Sequence, residues 1–450
     1  MWMLCCKRAA AYTNKKGISM KAIIERHSVK GKITVPSSKS HTIRALIIAT
    51  LAGGRSVISN PLPSEDCKAA MRIAKQFGST VTVEEGKWIV DGPKNGLQVP
   101  DDVVNVDNSG TTLYFMTSIA ALLPEWTVFT GDKSIRKRHV TPLLNVLKQL
   151  GAEAETTRKD CVSAPFFIRG PIKGGTVEVP CTTSQYISSL MIASPMCEGT
   201  MRITTQKPME TPYLDMTIKW LREAGITVNY DEAEHKWFEI PGGQRYLPFE
   251  KTISSDWSSV AFPTVAGLVP GSELVISNMD FKDTQGDAAV IDHLIKMGAD
   301  ITKDSENGRL IIRGGSKLHG ITIDMLNTPD ALPILSVVGA LADGTTVLDN
   351  VAGAKLKETD RVKVMTESLK KMGVDIEATQ NTITIHGGKP LQGCELESYD
   401  DHRIAMALTV AGLYAEGTTT IQNAECASVT FPDFYEKMNG IGASIILKDS

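Results

Sequence analysis

Six times along the chain a short polar cluster runs into a stretch that is apolar on every side. Pro36–Gly54 shows the pattern: Ser37, Ser38, Lys39, Ser40, His41 and Arg44 open a run rich in Ala, Leu and Ile. The other copies begin at Asn108-Ser109-Gly110-Thr111, Thr183-Ser184-Gln185, Ser254-Ser255-Asp256, Thr328-Pro329-Asp330 and Asp400-Asp401-His402-Arg403. Ser, Thr, Asp and Asn cap the free N–H groups of a helix start, and Pro329 suits a first turn. A helix without a polar face belongs in a core. The pattern predicts six buried helices, each with polar or charged residues at its N-terminus, where free N–H groups and the helix dipole favour an anion.

Most copies continue into a Gly and a β-rich segment (GRSVISN, GTMRITT, GSELVIS, GTTVLDN, GTTTIQN); the second has Glu125-Trp126 in place of the Gly. An amphipathic helix follows and ends at Gly78, Gly151, Gly225, Gly298, Gly373 or Gly442. These glycines recur roughly every 70 residues, the mark of an internal repeat with a C-terminal Gly cap. Short β-patterned runs such as STVTV, KWIVDG, RLIIRG and NTITIHG close each unit. The unit reads as strand, helix, two strands, helix: mixed α/β, not a solenoid. Six units suggest two halves of three, with a seam near Lys251-Thr252. Periodicity alone does not assign the strand in residues 20–37. We expect it with residues 252–450 in one half, residues 38–251 forming the other, so that two chain crossings make a hinge. Residues 1–19 do not match the repeat and are expected to be a disordered extension.

A chain of 450 residues exceeds one ordinary core. Its 42% hydrophobic and 22% charged residues are those of a soluble globular protein. A net charge of −3 gives no reason to expect nucleic acid or an anionic membrane as partner. No apolar run reaches membrane-spanning length uninterrupted. The eight cysteines are scattered, with no CxxC pair and no zinc-ligand spacing, as in a cytoplasmic protein with reduced thiols. There is no P-loop, no GxGxxG after a strand and no HExxH, so nucleotide, flavin and metal chemistry have no support.

Loop Gly131–Val140 packs Lys133, Arg136, Lys137, Arg138 and His139 together, and loop Gly353–Arg361 mixes Lys355, Lys357 and Arg361 with Glu358 and Asp360. Each has an ordinary reading: a solvated basic turn for the first, a helix start with i,i+3 pairing for the second, and for Asp400–Arg403 a cap beside a core His. Jointly they say more. Lys39, Arg44, Arg138, Lys357, Arg361 and Arg403 all lie at core-helix starts or in loops between units. If those ends converge, they form a cationic cleft suited to small anions bearing phosphate and carboxylate, which Arg binds bidentately. Asp330 and Glu358 would be its acid–base groups, their pKa values set by the surrounding cations.

The motifs SKSxxxR, NSGTT, SIRKR, TSQ, TPDALP, LKETDR, DDHRIAM and TFPDF stand in the order seen in the 5-enolpyruvylshikimate-3-phosphate synthase family (3-phosphoshikimate 1-carboxyvinyltransferases). The resemblance runs from about Met20 to the C-terminus. It implies an α/β fold of two globular domains, each of three βαβαββ repeats (an inside-out α/β barrel), around a central cleft that closes on substrate. It also implies transfer of the enolpyruvyl group of phosphoenolpyruvate to the 5-hydroxyl of shikimate 3-phosphate, with release of phosphate and no metal or organic cofactor. A cytoplasmic monomer with these two small-molecule partners is expected. On this resemblance Asp330 is the base, Glu358 the acid, and Lys39 contacts both substrates. Shikimate 3-phosphate would be held by Lys39, Ser40, Arg44, Thr183, Ser184, Gln185, Tyr213, Asp330 and Lys357. Phosphoenolpyruvate would be held by Lys39, Asn108, Gly110, Arg138, Gln185, Arg361, His402 and Arg403. The chain departs from the family's best-known arm at five positions. Tyr114 stands for an Arg, Glu210 for a Ser, Gly353 for an Asn, Val429 for a Lys and His139 for a Pro. Three rival readings fit the residues less well. A UDP-N-acetylglucosamine enolpyruvyl transferase would carry a Cys in loop 131–140, which has none. An RNA 3′-phosphate cyclase would need a nucleotide-accepting His and a more basic face. A non-catalytic anion binder would not require both Asp330 and Glu358.

Overall fold

The computed structural model describes residues 19–180 and 182–450. The expected N-terminal extension lies outside the described residues except for Ser19, whose carbonyl accepts the Ser450 N–H at 2.9 Å and whose hydroxyl donates to Asn423 at 2.8 Å. Helices α1 (Lys39–Leu51), α2 (Glu65–Gln76), α3 (Gly110–Ala120), α4 (Thr141–Gln149), α5 (Ser184–Ala193), α6 (Thr211–Glu223), α7 (Trp257–Ala266), α8 (Ala289–Lys296), α9 (Leu332–Leu341), α10 (Arg361–Lys371), α11 (His402–Gly412) and α12 (Phe434–Gly440) alternate in character. The odd-numbered ones are buried nearly all round and the even-numbered ones along one face, as their apolar patterns require. The side chains of Ser38, Ser109, Thr183, Asp256 and Asp401 accept backbone N–H groups in the first turns of α1, α3, α5, α7 and α11. Helix α9 differs from expectation. A 3₁₀ turn, Pro329–Ala331, precedes it, and no side chain caps it. The Asp330 carboxylate turns instead to Arg361 and Arg403, full charges that attract it more strongly than a backbone N–H does. All six terminal glycines have positive φ, from 82° at Gly225 to 105° at Gly151, the left-handed step that ends each even-numbered helix.

Six four-stranded sheets accompany the helices. Each has one parallel and two antiparallel pairings. In the second unit Val104–Asn105 runs parallel to Thr127–Thr130, which pairs antiparallel with Phe166–Arg169, itself antiparallel to Glu153–Thr156. This is the βαβαββ order; the unit read as strand, helix, two strands, helix lacks one of the four strands, the parallel one that precedes each core helix. Three units take a strand from elsewhere in the chain. Glu250–Thr252 runs parallel to Arg55–Ser59, Lys30–Thr34 runs parallel to Glu273–Ser277, and Met20–Ile24 lies between Thr419–Gln422 and Ile446–Asp449. One hydrophobic core is built from residues between Ile43 and Ile253. The other joins Ala22–Val35 to residues from Trp257 to Ile445. Between these cores the chain passes twice, and the passages pair: Ser38 N–H donates to the Ser254 carbonyl at 2.8 Å and Asp256 N–H to the Pro36 carbonyl at 2.9 Å. No helix among the described residues is long and apolar enough to cross a membrane.

Candidate active site

All six core-helix starts reach one cavity between the two cores. Its wall includes Lys39 and Ser40 from α1, Gly110 and Thr111 from α3, Ser184 and Gln185 from α5, and Ser258 from α7. Asp330 reaches it from the turn before α9, and His402 and Arg403 from α11. Arg44, Arg138, Tyr213, Lys357, Glu358 and Arg361 complete the set expected from the sequence. Two expected residues stand outside it. Asn108 donates to Asp132 at 3.2 Å, and Thr183 lies behind Glu210, to which its hydroxyl donates at 3.2 Å.

The cavity is more acidic than the cationic cleft with Asp330 and Glu358 that was expected. Six cations line it, but so do five carboxylates: Asp66, Glu210, Asp256, Asp330 and Glu358. A cation withdrawn from water needs a counter-charge, so the helix ends that bring the cations together bring acids as well. Lys39 Nζ lies 3.0 Å from Asp66. Burial opposes its charge, but Asp66 and Glu358 more than offset that and leave its pKa raised. Arg361, 1% exposed, is the centre of the network. Its Nε and Nη2 donate to Asp401 at 2.8 and 3.2 Å, its Nη1 to Asp330 at 2.8 Å and its Nη2 to Glu358 at 2.6 Å. One guanidinium thus holds both candidate acid–base groups side by side. Arg403 adds a 3.3 Å contact to Asp330, and Arg138 reaches across to Glu358 at 2.8 Å. Burial works against ionisation of both carboxylates. For Asp330 the charges of Arg403, Lys357 and Arg361 win and pull its pKa down. For Glu358 those of Arg138 and Arg361 win and hold it well below the usual range. His402 is kept neutral by burial, its pKa far below 6.5.

Arg44 is the exception. It is 2% exposed, and its guanidinium donates only to neutral oxygens: Thr217 Oγ1 at 3.0 Å, the Ser40 carbonyl at 3.2 Å and the Tyr213 carbonyl at 3.3 Å. It also sits 5.0 Å from the Phe115 ring centroid. Among the described residues no carboxylate lies within ion-pair distance of it, and burial lowers its pKa to about 10.

Gly110 is glycine because Arg138 lies against it; a Cβ there would collide with Nη1 of the guanidinium. The loop carrying Arg138 is tied down by two tyrosines, since Tyr114 and Tyr186 both donate their hydroxyls to the His139 carbonyl, at 3.1 and 2.7 Å. Tyr114 therefore acts on the cavity through the loop, a role no spacing in the sequence could reveal. Asp66, Asp256, Ser258, Thr430 and Glu210 were missed as cavity residues. Asp256 and Thr430 sat inside recognised motifs, whereas Asp66 carries no local signal. Among the described residues no cluster of three or more His, Cys, Asp or Glu side chains is arranged to hold a metal ion.

Comparison with known proteins points to one family. The family model for EPSP synthase (3-phosphoshikimate 1-carboxyvinyltransferase) matches residues 23–438. A 3-phosphoshikimate 1-carboxyvinyltransferase of Acetivibrio thermocellus is 44% identical over 422 residues, covering 94% of this chain and 98% of that protein. One from Ruminiclostridium cellulolyticum is 43% identical over 424 residues, covering 94% and 99%. The solved structure of an EPSP synthase from Acinetobacter baumannii superposes with a TM-score of 0.81 at 30% identity, over 96% of this chain and all of that one (100%).

Proposed function

The chain belongs to the EPSP synthase family, and we propose that its cavity transfers the enolpyruvyl group of phosphoenolpyruvate to the 5-hydroxyl of shikimate 3-phosphate, releasing phosphate. The observation that carries the reading is the Arg361 fork, with Asp330 on one arm and Glu358 on the other, at the meeting point of six helix starts.

In the proposed chemistry the phosphate and carboxylate of phosphoenolpyruvate engage Arg138, Arg361 and Arg403, with Lys39 between the two substrates. Of these, Arg138 and Arg361 are what hold Glu358 ionised against its burial. Once the substrate's anions share them, the restraint on Glu358 weakens and it can carry a proton. Glu358 delivers that proton to the C3 methylene, C2 gains cationic character, and the 5-hydroxyl oxygen attacks C2 while its proton passes to Asp330. Return of a proton from C3 then expels phosphate and leaves the enolpyruvyl ether. Positioning and proton transfer supply the rate, and closure of the cleft keeps water from the intermediate.

The halves that close are residues 38–251 against residues 20–37 with 252–450, hinged at the paired crossings. A monomer suffices, because one chain supplies every wall of the cavity. We place the enzyme in the cytoplasm, in keeping with free thiols at Cys67, Cys161, Cys197, Cys394 and Cys426. The test is phosphate release from phosphoenolpyruvate, expected only when shikimate 3-phosphate is added. Turnover with UDP-N-acetylglucosamine instead would overturn the reading.

A further inference from the structure

The start of α5 already holds an anion, and it comes from the chain itself. Four donors converge on the Glu210 carboxylate. Oε2 accepts from the Thr183 hydroxyl at 3.2 Å, the Ser184 backbone N–H at 3.1 Å and the Ser184 hydroxyl at 2.8 Å. Oε1 accepts from Lys357 Nζ at 2.7 Å, across the cleft. A helix-start N–H, two hydroxyls and an ammonium form a set that binds phosphate. The Glu210 side chain is buried, 5% exposed as a residue, and lies on the cavity wall. It is ionised: burial opposes the charge, but Lys357 and Ser184 hold its pKa below the usual value.

Its backbone shows how it is placed. Glu210 has φ 52° and ψ 41°, a left-handed conformation that a residue with a Cβ seldom adopts. It stands at the N-cap of α6 but does not cap that helix; the Thr211 N–H goes to Asn327 of the other core's segment at 3.2 Å. The side chain spans instead from the start of α6 to the start of α5.

We propose that Glu210 is a tethered anion that competes with the acceptor's phosphate for the start of α5 and so sets the enzyme's affinity for a phosphorylated acceptor. The inference rests on the reading that the acceptor's phosphate binds Thr183 and Ser184. Two negative charges at contact distance repel strongly when little water lies between them, so phosphate and the Glu210 carboxylate cannot share the cradle. For acceptor to bind, the carboxylate must leave, and Lys357 then exchanges Glu210 for the incoming phosphate. The bond across the cleft is in this way replaced by one through the substrate.

The experiment compares wild type, Glu210→Ser and the isosteric Glu210→Gln. Binding of inorganic phosphate is followed by calorimetry, and KM for each substrate is followed by phosphate release. In Glu210→Ser, phosphate should bind at least tenfold more tightly and KM for shikimate 3-phosphate should fall at least tenfold, with KM for phosphoenolpyruvate within about twofold. Glu210→Gln should lie between. A purely structural glutamate could not produce tighter binding on removal. Phosphate affinity unchanged or weaker in both folded variants overturns the inference. If wild type fails to turn over shikimate 3-phosphate while both variants bind phosphate more tightly, the functional reading falls and this inference stands.

Discussion

Replacing Arg44 with Met separates a binding role from a structural one, because the two predict opposite outcomes. Burial lowers Arg44 from the 12.5 of a free guanidinium to about 10, so the fold opposes that charge by about 3 kcal/mol. Against this stand three hydrogen bonds to neutral oxygens, each worth about 1 kcal/mol. The terms nearly cancel, and Met fills similar apolar space beside Phe115. The unliganded Arg44→Met protein should therefore unfold in urea within about 1–2 kcal/mol of wild type. An acceptor anion is another matter. Two charge-assisted bonds to a carboxylate or phosphate are worth about 3–4 kcal/mol together, a loss of roughly 10²–10³ in affinity. At a shikimate 3-phosphate concentration a hundred times the wild-type Kd, wild type gains about 2.7 kcal/mol of stability, while a variant bound a hundredfold more weakly gains about 0.4 kcal/mol. Thermal or urea unfolding with and without acceptor reads both quantities. A variant that loses more than about 3 kcal/mol unliganded yet keeps its acceptor affinity within threefold would refute the reasoning and make Arg44 a core residue only.

Asp330→Asn keeps the shape of the fork but removes the base, so kcat should fall by about 10²–10⁴ with shikimate 3-phosphate affinity changed less than tenfold; equal losses in both would point to a binding role alone. Gly110→Ala drives a methyl into the Arg138 guanidinium and loosens its bond to Glu358, so KM for phosphoenolpyruvate should rise at least tenfold while the acceptor's Kd, from calorimetry, stays within threefold. Asp287, 1% exposed, has its pKa raised from 3.8 to about 6 by burial and then by the charge of Asp330. The folded state holds this proton more tightly than the unfolded state, so its contribution is full below pH 4 and is lost as pH rises through about 6, amounting to about 3 kcal/mol. Asp287→Asn should flatten that slope and stabilise the protein at pH 7; unchanged pH dependence of urea unfolding between pH 4 and 7 would contradict it.

The apolar runs after Ser38, Ser109, Thr183, Asp256 and Asp401 were sufficient to locate five capped core helices, because capping and burial patterns are local. The glycines from Gly78 to Gly442 likewise marked the repeat, since a left-handed step after a helix is a requirement of the residue itself. The turn before α9 escaped that logic: Asp330 has cap chemistry, but charges from distant segments claim its carboxylate. The same holds for the whole cavity. Residue types along the chain limited the candidates to a few cations and two acids, yet which acid faces which cation was decided by helix starts hundreds of residues apart meeting between two cores. Lys39 meets Asp66 and Arg361 meets Asp401 because neighbouring helix starts pack together within one half, and Lys357 meets Glu210 only because the two halves face each other. Local patterns come from short-range sterics and periodicity, which a sequence carries position by position. Electrostatic pairing depends on distance in space, and only the folded chain sets that.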